Sequence, residues 1–183
     1  MRISHFAFLL LFGFVLFSCE PDVFTPSEDI EDIEDVEDVV NQEPEDPAET
    51  QTDFATAALD AVNQLRRQGC RCGNDNLPPV PELSWNNLLE KAALKHATDM
   101  RDQSFFSHFS SDGTGLGQRV TKEGYSWKYV GENIAFGYPS LEEVMQGWVD
   151  SPGHCRNLMS VNFTEIGLVE LDGYWVQDFA RPL

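Results

Sequence analysis

The chemistry open to this chain rests on two imidazoles and one carboxylate. His108 follows Ser107, Glu132 stands within Gly131-Glu132-Asn133, and His154 closes the run Trp148 to His154, with gaps of 24 and 22 residues between the three. Each has neighbours (Ser, Gly, Pro) that read as a loop or an element end. Brought together, two neutral imidazoles and a carboxylate form a ligand set for zinc or another divalent ion, with positions left for water. The same groups could instead pin loops, with Glu132 accepting hydrogen bonds from a ring or from backbone amides. A third reading is hydrolysis, with Glu132 or a histidine activating a metal-bound water. No confident catalytic residue follows, because Ser107, Ser110, Ser111 and Ser151 lie near these motifs without the setting of an activated nucleophile. Asn133 reads as a residue that bonds backbone or positions Glu132. His96 sits on an apolar helix face and reads as core.

The elements that must position these residues alternate between two periods. Phe54 to Gln68 carries Phe54, Ala58, Ala61, Val62 and Leu65 at helical spacing, with Gly69 as a stop. Ser84 is expected to cap a second helix over Trp85 to Gln103, whose shared face is Leu88, Leu89, Ala92, Ala93, His96, Ala97 and Met100. Ser140 is expected to cap a third over Leu141 to Val149, with Glu142 and Glu143 favourably near its positive end. Leu77 to Pro81 reads as extended and Tyr125 to Ala135 as a strand. Phe163 to Leu171 and Tyr174 to Ala180 read as a hairpin around Asp172-Gly173. Helices early and strands late predict an α+β domain with a small, mostly antiparallel sheet between helices.

The N-terminal third is different material. Residues 1–19 have the charged start and short apolar run of an export leader, and Leu16-Phe17-Ser18-Cys19 resembles the bacterial lipoprotein processing box, which implies lipidation of Cys19. Such an anchor would hold the protein at a membrane of the cell envelope without a spanning helix. Residues 20–53 contain fifteen acidic residues, no Lys or Arg, and a three-residue Glu-Asp-apolar repeat from Glu28 to Val39. Like charges repel and Asp is a poor helix former, so this segment is expected to be a disordered stalk. It also carries most of the net charge of −19; residues 54–183 hold 16 acidic against 11 basic residues. With no basic patch, nucleic acid is not an expected partner. At about 130 residues, the remainder suits one domain, expected to be monomeric.

Export permits disulfides among Cys70, Cys72 and Cys155, with Cys70 and Cys72 competing for one partner. Zinc held by the three is the alternative, disfavoured by the one-residue spacing of the first two.

An ordered set of short motifs runs through the domain: Pro81-Glu82-Leu83-Ser84-Trp85, Ala92-Ala93 with His96, Ser107-His108, Gly131-Glu132-Asn133-Ile134-Ala135, Trp148, Ser151-Pro152-Gly153-His154, Asn157-Leu158-Met159, and Tyr174-Trp175-Val176-Gln177-Asp178-Phe179. Together they resemble a bacterial member of the CAP superfamily, which comprises cysteine-rich secretory proteins, antigen-5 allergens and plant pathogenesis-related proteins (the SCP domain). The resemblance covers about residues 55–181. It implies an α-β-α sandwich, secreted or surface-attached, with a central cleft described by two histidines and two acids. His108, Glu132 and His154 match three of these. Ser151 stands where eukaryotic members have a second glutamate, so a His-Glu-His site is expected. The bacterial form also implies a Cys72–Cys155 disulfide. Some family members are thought to carry lipid, and the aromatics Trp127, Tyr129, Phe136, Tyr138, Trp148, Tyr174 and Trp175 could line an apolar groove as well as the core. The function implied is an envelope-anchored binding module for a lipid, a metal or an envelope component; a metal-dependent hydrolase and an adhesive surface protein are the alternatives.

Overall fold

A computed structural model describes residues 47–183. Cys19, the leader and most of the acidic segment lie outside the described residues. The element order is α1 (Pro47–Gln68), β1 (Cys70–Cys72), β2 (Asp75–Leu77), β3 (Ser84–Trp85), α2 (Asn87–Asp102), α3 (Leu116–Lys122), β4 (Trp127–Phe136), α4 (Leu141–Asp150), α5 (Pro152–Leu158), β5 (Glu165–Leu171) and β6 (Tyr174–Pro182).

A four-stranded sheet, in the order β3-β5-β6-β4, lies between two helical layers. β5, β6 and β4 pair antiparallel, and the short β3 pairs parallel to β5. Side chains on a strand alternate between faces, and both faces of this sheet are covered. Ile166, Leu168, Trp175 and Phe179 pack with Ala58 and Val62 of α1, Val144 and Trp148 of α4, and Leu158 of α5. On the other face Ile134, Val169 and Val176 pack with Ala93, Ala97 and Met100 of α2, while Ala180 meets Leu89, Ala92 and Val120. The result is the α-β-α sandwich of the α+β class. Gly167 sets the distance between α2 and the sheet: a Cβ there would lie 2.2 Å from the backbone nitrogen of Glu90 and 2.6 Å from the carbonyl carbon of Leu89. The hairpin turn falls at Asp172-Gly173, both at positive φ (49° and 83°), as a tight turn between right-twisted strands requires.

Several boundaries differ from the sequence expectation. α1 starts at Pro47 rather than at Phe54, so residues 47–53 of the acidic segment are helical; proline suits a first helical position, where its missing N–H has no intrahelical role. The cap of α2 is Asn86, whose side chain accepts from the amides of Leu88 and Leu89, and Ser84 lies instead in β3. Ser140 caps α4 as expected, accepting from Glu143. The helices α3 and α5 and the hairpin β1–β2 were not expected. At seven and three residues they are too short to establish a period.

Candidate functional site

β4 is an edge strand of the sheet, and its alternation divides the Gly-Glu-Asn motif between the two faces. Glu132 lies opposite Asp178 of β6, and Asn133 opposite Gln177. Glu132 shares the face of Ile134, toward α2 and α3; Asn133 turns toward α5.

Glu132 is buried, with a side chain 3 % exposed, and both of its oxygens are engaged. His108 Nδ1 donates to Oε1 at 2.7 Å, and Arg119 Nη2 donates to Oε2. Arg119 reaches this point from α3 and also donates through Nη1 to the carbonyls of His108 (2.9 Å) and Thr114 (3.2 Å). One buried guanidinium therefore fixes both the carboxylate and the loop that carries His108. Burial alone would raise the Glu132 pKa, but the His108 hydrogen bond and the Arg119 charge outweigh it and hold the carboxyl below its ordinary value.

Asp178 is the opposite case. It is fully buried, and neither of its oxygens receives a hydrogen bond from a protein donor. Burial, and then the adjacent Glu132 charge, push its pKa well above the ordinary aspartate value. The two neighbouring acids are thus driven apart, Glu132 toward its ionised form and Asp178 toward its protonated form. Sequence reasoning sought a second acid near Ser151 and missed this one. The available signal was an aspartate, beside Gln177, within the mostly apolar strand Tyr174 to Ala180. Arg119 was also missed as a site residue, since a single arginine in a short helix has no spacing signature.

His96 is buried as expected and also adjoins the cluster, with Nε2 4.0 Å from Glu132 Oε2. That nitrogen donates to the Ser107 carbonyl at 2.8 Å, and Ser110 Oγ lies 3.4 Å from Nδ1, which assigns the tautomer. Burial, followed by the Arg119 charge, lowers its pKa, so the ring is neutral.

His108 leaves Nε2 free of hydrogen bonds among the described residues, on a side chain 54 % exposed. His154, in the first turn of α5, is partly buried. Burial, and then an electrostatic influence from His108, lower its pKa. Asn133, fully buried, donates to Gln177 Oε1 (3.0 Å) and to the His154 carbonyl (3.3 Å). Asn157 completes this side by donating to Asn133 Oδ1 (2.9 Å) and the Glu132 carbonyl (3.1 Å). Ser151 ends α4 and precedes α5 without making a side-chain cap. Asp150 accepts from Gln146 at the surface and supplies no second acid to the cluster.

For a metal, this arrangement leaves two imidazoles, with Glu132 acting behind one of them as the hydrogen-bonded partner that orients a ligating ring. Among the described residues, the group of three or more ligand atoms lying within 4.8 Å of one another is Cys70, Cys72 and Cys155, not the histidine cluster. Cys72 and Cys155 are joined as a disulfide, which removes two of those sulfurs from zinc chemistry. The bond ties β1 to α5, directly after His154. A groove of about 1490 Å³ lies elsewhere, between α1, α2 and the segment 137–141, lined by Phe54, Leu59, Leu94, Tyr138, Leu141 and Trp175.

Fold and site together define a disulfide-linked α-β-α sandwich with a polar cluster at its edge strand. The family model for the cysteine-rich secretory protein family, CAP, matches residues 59–179, and the chain belongs to that family. It is 37 % identical over 133 residues to Uncharacterized protein YkwD of Bacillus subtilis (strain 168), covering 70 % of this chain and 52 % of that protein. It is 29 % identical over 132 residues to Uncharacterized membrane protein YlbC of the same organism, covering 72 % of this chain and 35 % of that one. The chain thus spans about half and about a third of these relatives. An extracellular SCP-domain protein from Bacillus anthracis superposes with a TM-score of 0.63 at 29 % identity, over 76 % of this chain and 45 % of that one. An outer surface protein from Borrelia burgdorferi shares the fold, with a TM-score of 0.59 at 22 % identity over 75 % of this chain and 96 % of that one. The Bacillus anthracis relative is thus an extracellular protein and the Borrelia protein of like fold a surface protein, and no helix among the described residues is long and apolar enough to cross a membrane.

Proposed function

We propose that this protein is an extracytoplasmic CAP-domain lipoprotein, anchored through Cys19 to the cell envelope, whose domain is a binding module rather than a hydrolase. The observation that carries this reading is the state of Glu132. Its two oxygens are occupied by Arg119 and His108, and its side chain is 3 % exposed. A carboxylate so engaged cannot approach a substrate or exchange protons with a bound water; it can orient His108. What faces outward is the free Nε2 of His108, with the partly buried His154 near enough to be influenced by it electrostatically. This pair would hold a divalent ion weakly or a polar group of an envelope ligand, while a lipid chain would find its apolar surface in the separate groove beside Trp175.

The test is a zinc titration by calorimetry on the wild-type protein, His108→Ala, His154→Ala and Glu132→Gln. One site per chain is expected, lost in each histidine variant and weakened roughly tenfold in Glu132→Gln, the usual consequence of removing an orienting partner. Turnover of a peptide or glycan panel that Glu132→Gln abolishes would replace this reading with the hydrolase.

A further inference from the structure

The hairpin β1–β2 places two cysteines of one strand face before a third. Cys70 and Cys72 are i and i+2 on β1, so both sulfurs point the same way, toward α5. Cys72 and Cys155 are bonded and fully buried, and Cys70 keeps a thiol that is only partly buried. That thiol lies 2.9 Å from Cys155 Sγ and 3.4 Å from Cys72 Sγ, in a pocket formed with Leu65, Leu77, Val80 and Met159. An ordinary structural disulfide has no third sulfur in contact with it. We propose that Cys70, Cys72 and Cys155 form an internal thiol–disulfide exchange site, in which Cys70 displaces Cys72 from Cys155.

The step balances without an added oxidant. Cys70 gives its proton to solvent, its thiolate attacks Cys155 Sγ, the Cys72–Cys155 bond breaks, and Cys72 leaves as a thiolate that takes up a proton. Attack falls on Cys155 because it is the nearer sulfur and the one both isomers share. Burial raises the Cys70 pKa, so at neutral pH little thiolate is present and the exchange is slow. The crosslink moves by two residues along β1, roughly 6–7 Å of strand. Its other end is fixed on α5, next to His154, so the two isomers hold the cluster's second imidazole by different tethers.

Arg71 makes the two isomers separable, because trypsin cuts between Cys70 and Cys72. The full-length protein is held at pH 7, 8 or 9, blocked with N-ethylmaleimide, digested and mapped by mass spectrometry, which resolves Cys19 from the other cysteines. The expected result is a Cys70–Cys155 peptide with label on Cys72, appearing beside the Cys72–Cys155 form at a rate that rises about tenfold per pH unit until the thiol ionises. Cys72→Ser is expected to oxidise to Cys70–Cys155 with oxidised glutathione. Wild-type protein that gives only Cys72–Cys155, with label confined to Cys70 even at pH 9, overturns the proposal. A Cys72→Ser chain that keeps both thiols alkylatable under oxidised glutathione overturns it as well.

Discussion

Two buried arginines hold this domain together, and they do so by different means. Arg66 of α1 is fully buried and bonds only carbonyls: Pro81 through Nε (2.7 Å), and Leu158 (2.6 Å) and Ser160 (3.1 Å) through Nη1. Among the described residues no carboxylate pairs with it, and burial lowers its pKa to about 10, which still leaves it protonated at neutral pH. Arg119 is also buried, but its contacts include the ionised Glu132 as well as two carbonyls. The first arginine is a clamp that closes chain segments around the core. The second is half of an ion pair, and its partner is the group that orients His108. A buried cation thus does not by itself mark a site; the identity of its acceptors does.

The largest effect expected to separate the two is Arg119→Met. It strands a buried carboxylate and should cost about 3–5 kcal/mol at pH 7 by urea unfolding. Glu132 has a depressed folded pKa, so the stability from its pairing is present above its ordinary value of 4.5 and is lost as pH falls through the lower folded value. The Arg119→Met penalty should therefore shrink as pH falls toward 3. Arg66→Met should cost about 2–4 kcal/mol from unsatisfied carbonyls and lost packing, with little change between pH 4 and 8. Equal pH profiles for the two variants would erase the distinction.

A smaller effect isolates the opposed shifts of Asp178 and Glu132. Asp178 has a raised folded pKa, so its contribution to stability is greatest below the ordinary aspartate value of 3.8 and declines as pH rises above it. Asp178→Asn supplies a neutral group that needs no proton. Its stability relative to wild type should improve as pH rises above 4, by on the order of 1 kcal/mol per pH unit for as long as the aspartic acid remains protonated. A flat difference would mean that Asp178 is ionised in the folded state. The smallest effect concerns the outward rings. His154 should titrate below the ordinary histidine value by NMR, and His108→Ala should move it upward as the electrostatic influence of His108 is removed. No movement would separate the two imidazoles and weaken the paired-ring reading.

Much of the architecture was legible in the residues themselves. The helical faces of α1, α2 and α4, the Ser140 cap and the Asp172-Gly173 turn are local properties, set by spacing and by turn chemistry. So was the suspicion attached to His108 and His154; Glu132, expected from its glycine neighbour at a loop or element end, lies instead inside β4 and is buried, because the sheet continues through it. The short elements were not legible, because α3 and α5 form only where the rest of the fold holds them. Asn86 took the cap from Ser84 because β3 pairs with β5, a contact between residues 80 apart.

The sequence by itself determined which groups were available: two histidines, a motif glutamate, and three cysteines within a domain of mixed period. Tertiary structure decided what each became. Cross-strand register set Asp178 against Glu132 and drove the two acids' pKa values in opposite directions. The position of α3 brought Arg119 to the same carboxylate and converted a candidate ligand or base into an orienting group. The approach of α5 to β1 joined Cys72 to Cys155 and left Cys70 in contact with the bond. A carboxylate's protonation, a ring's free nitrogen and a thiol's target are set by neighbours that one sequence cannot place, because those neighbours arrive from distant parts of the chain.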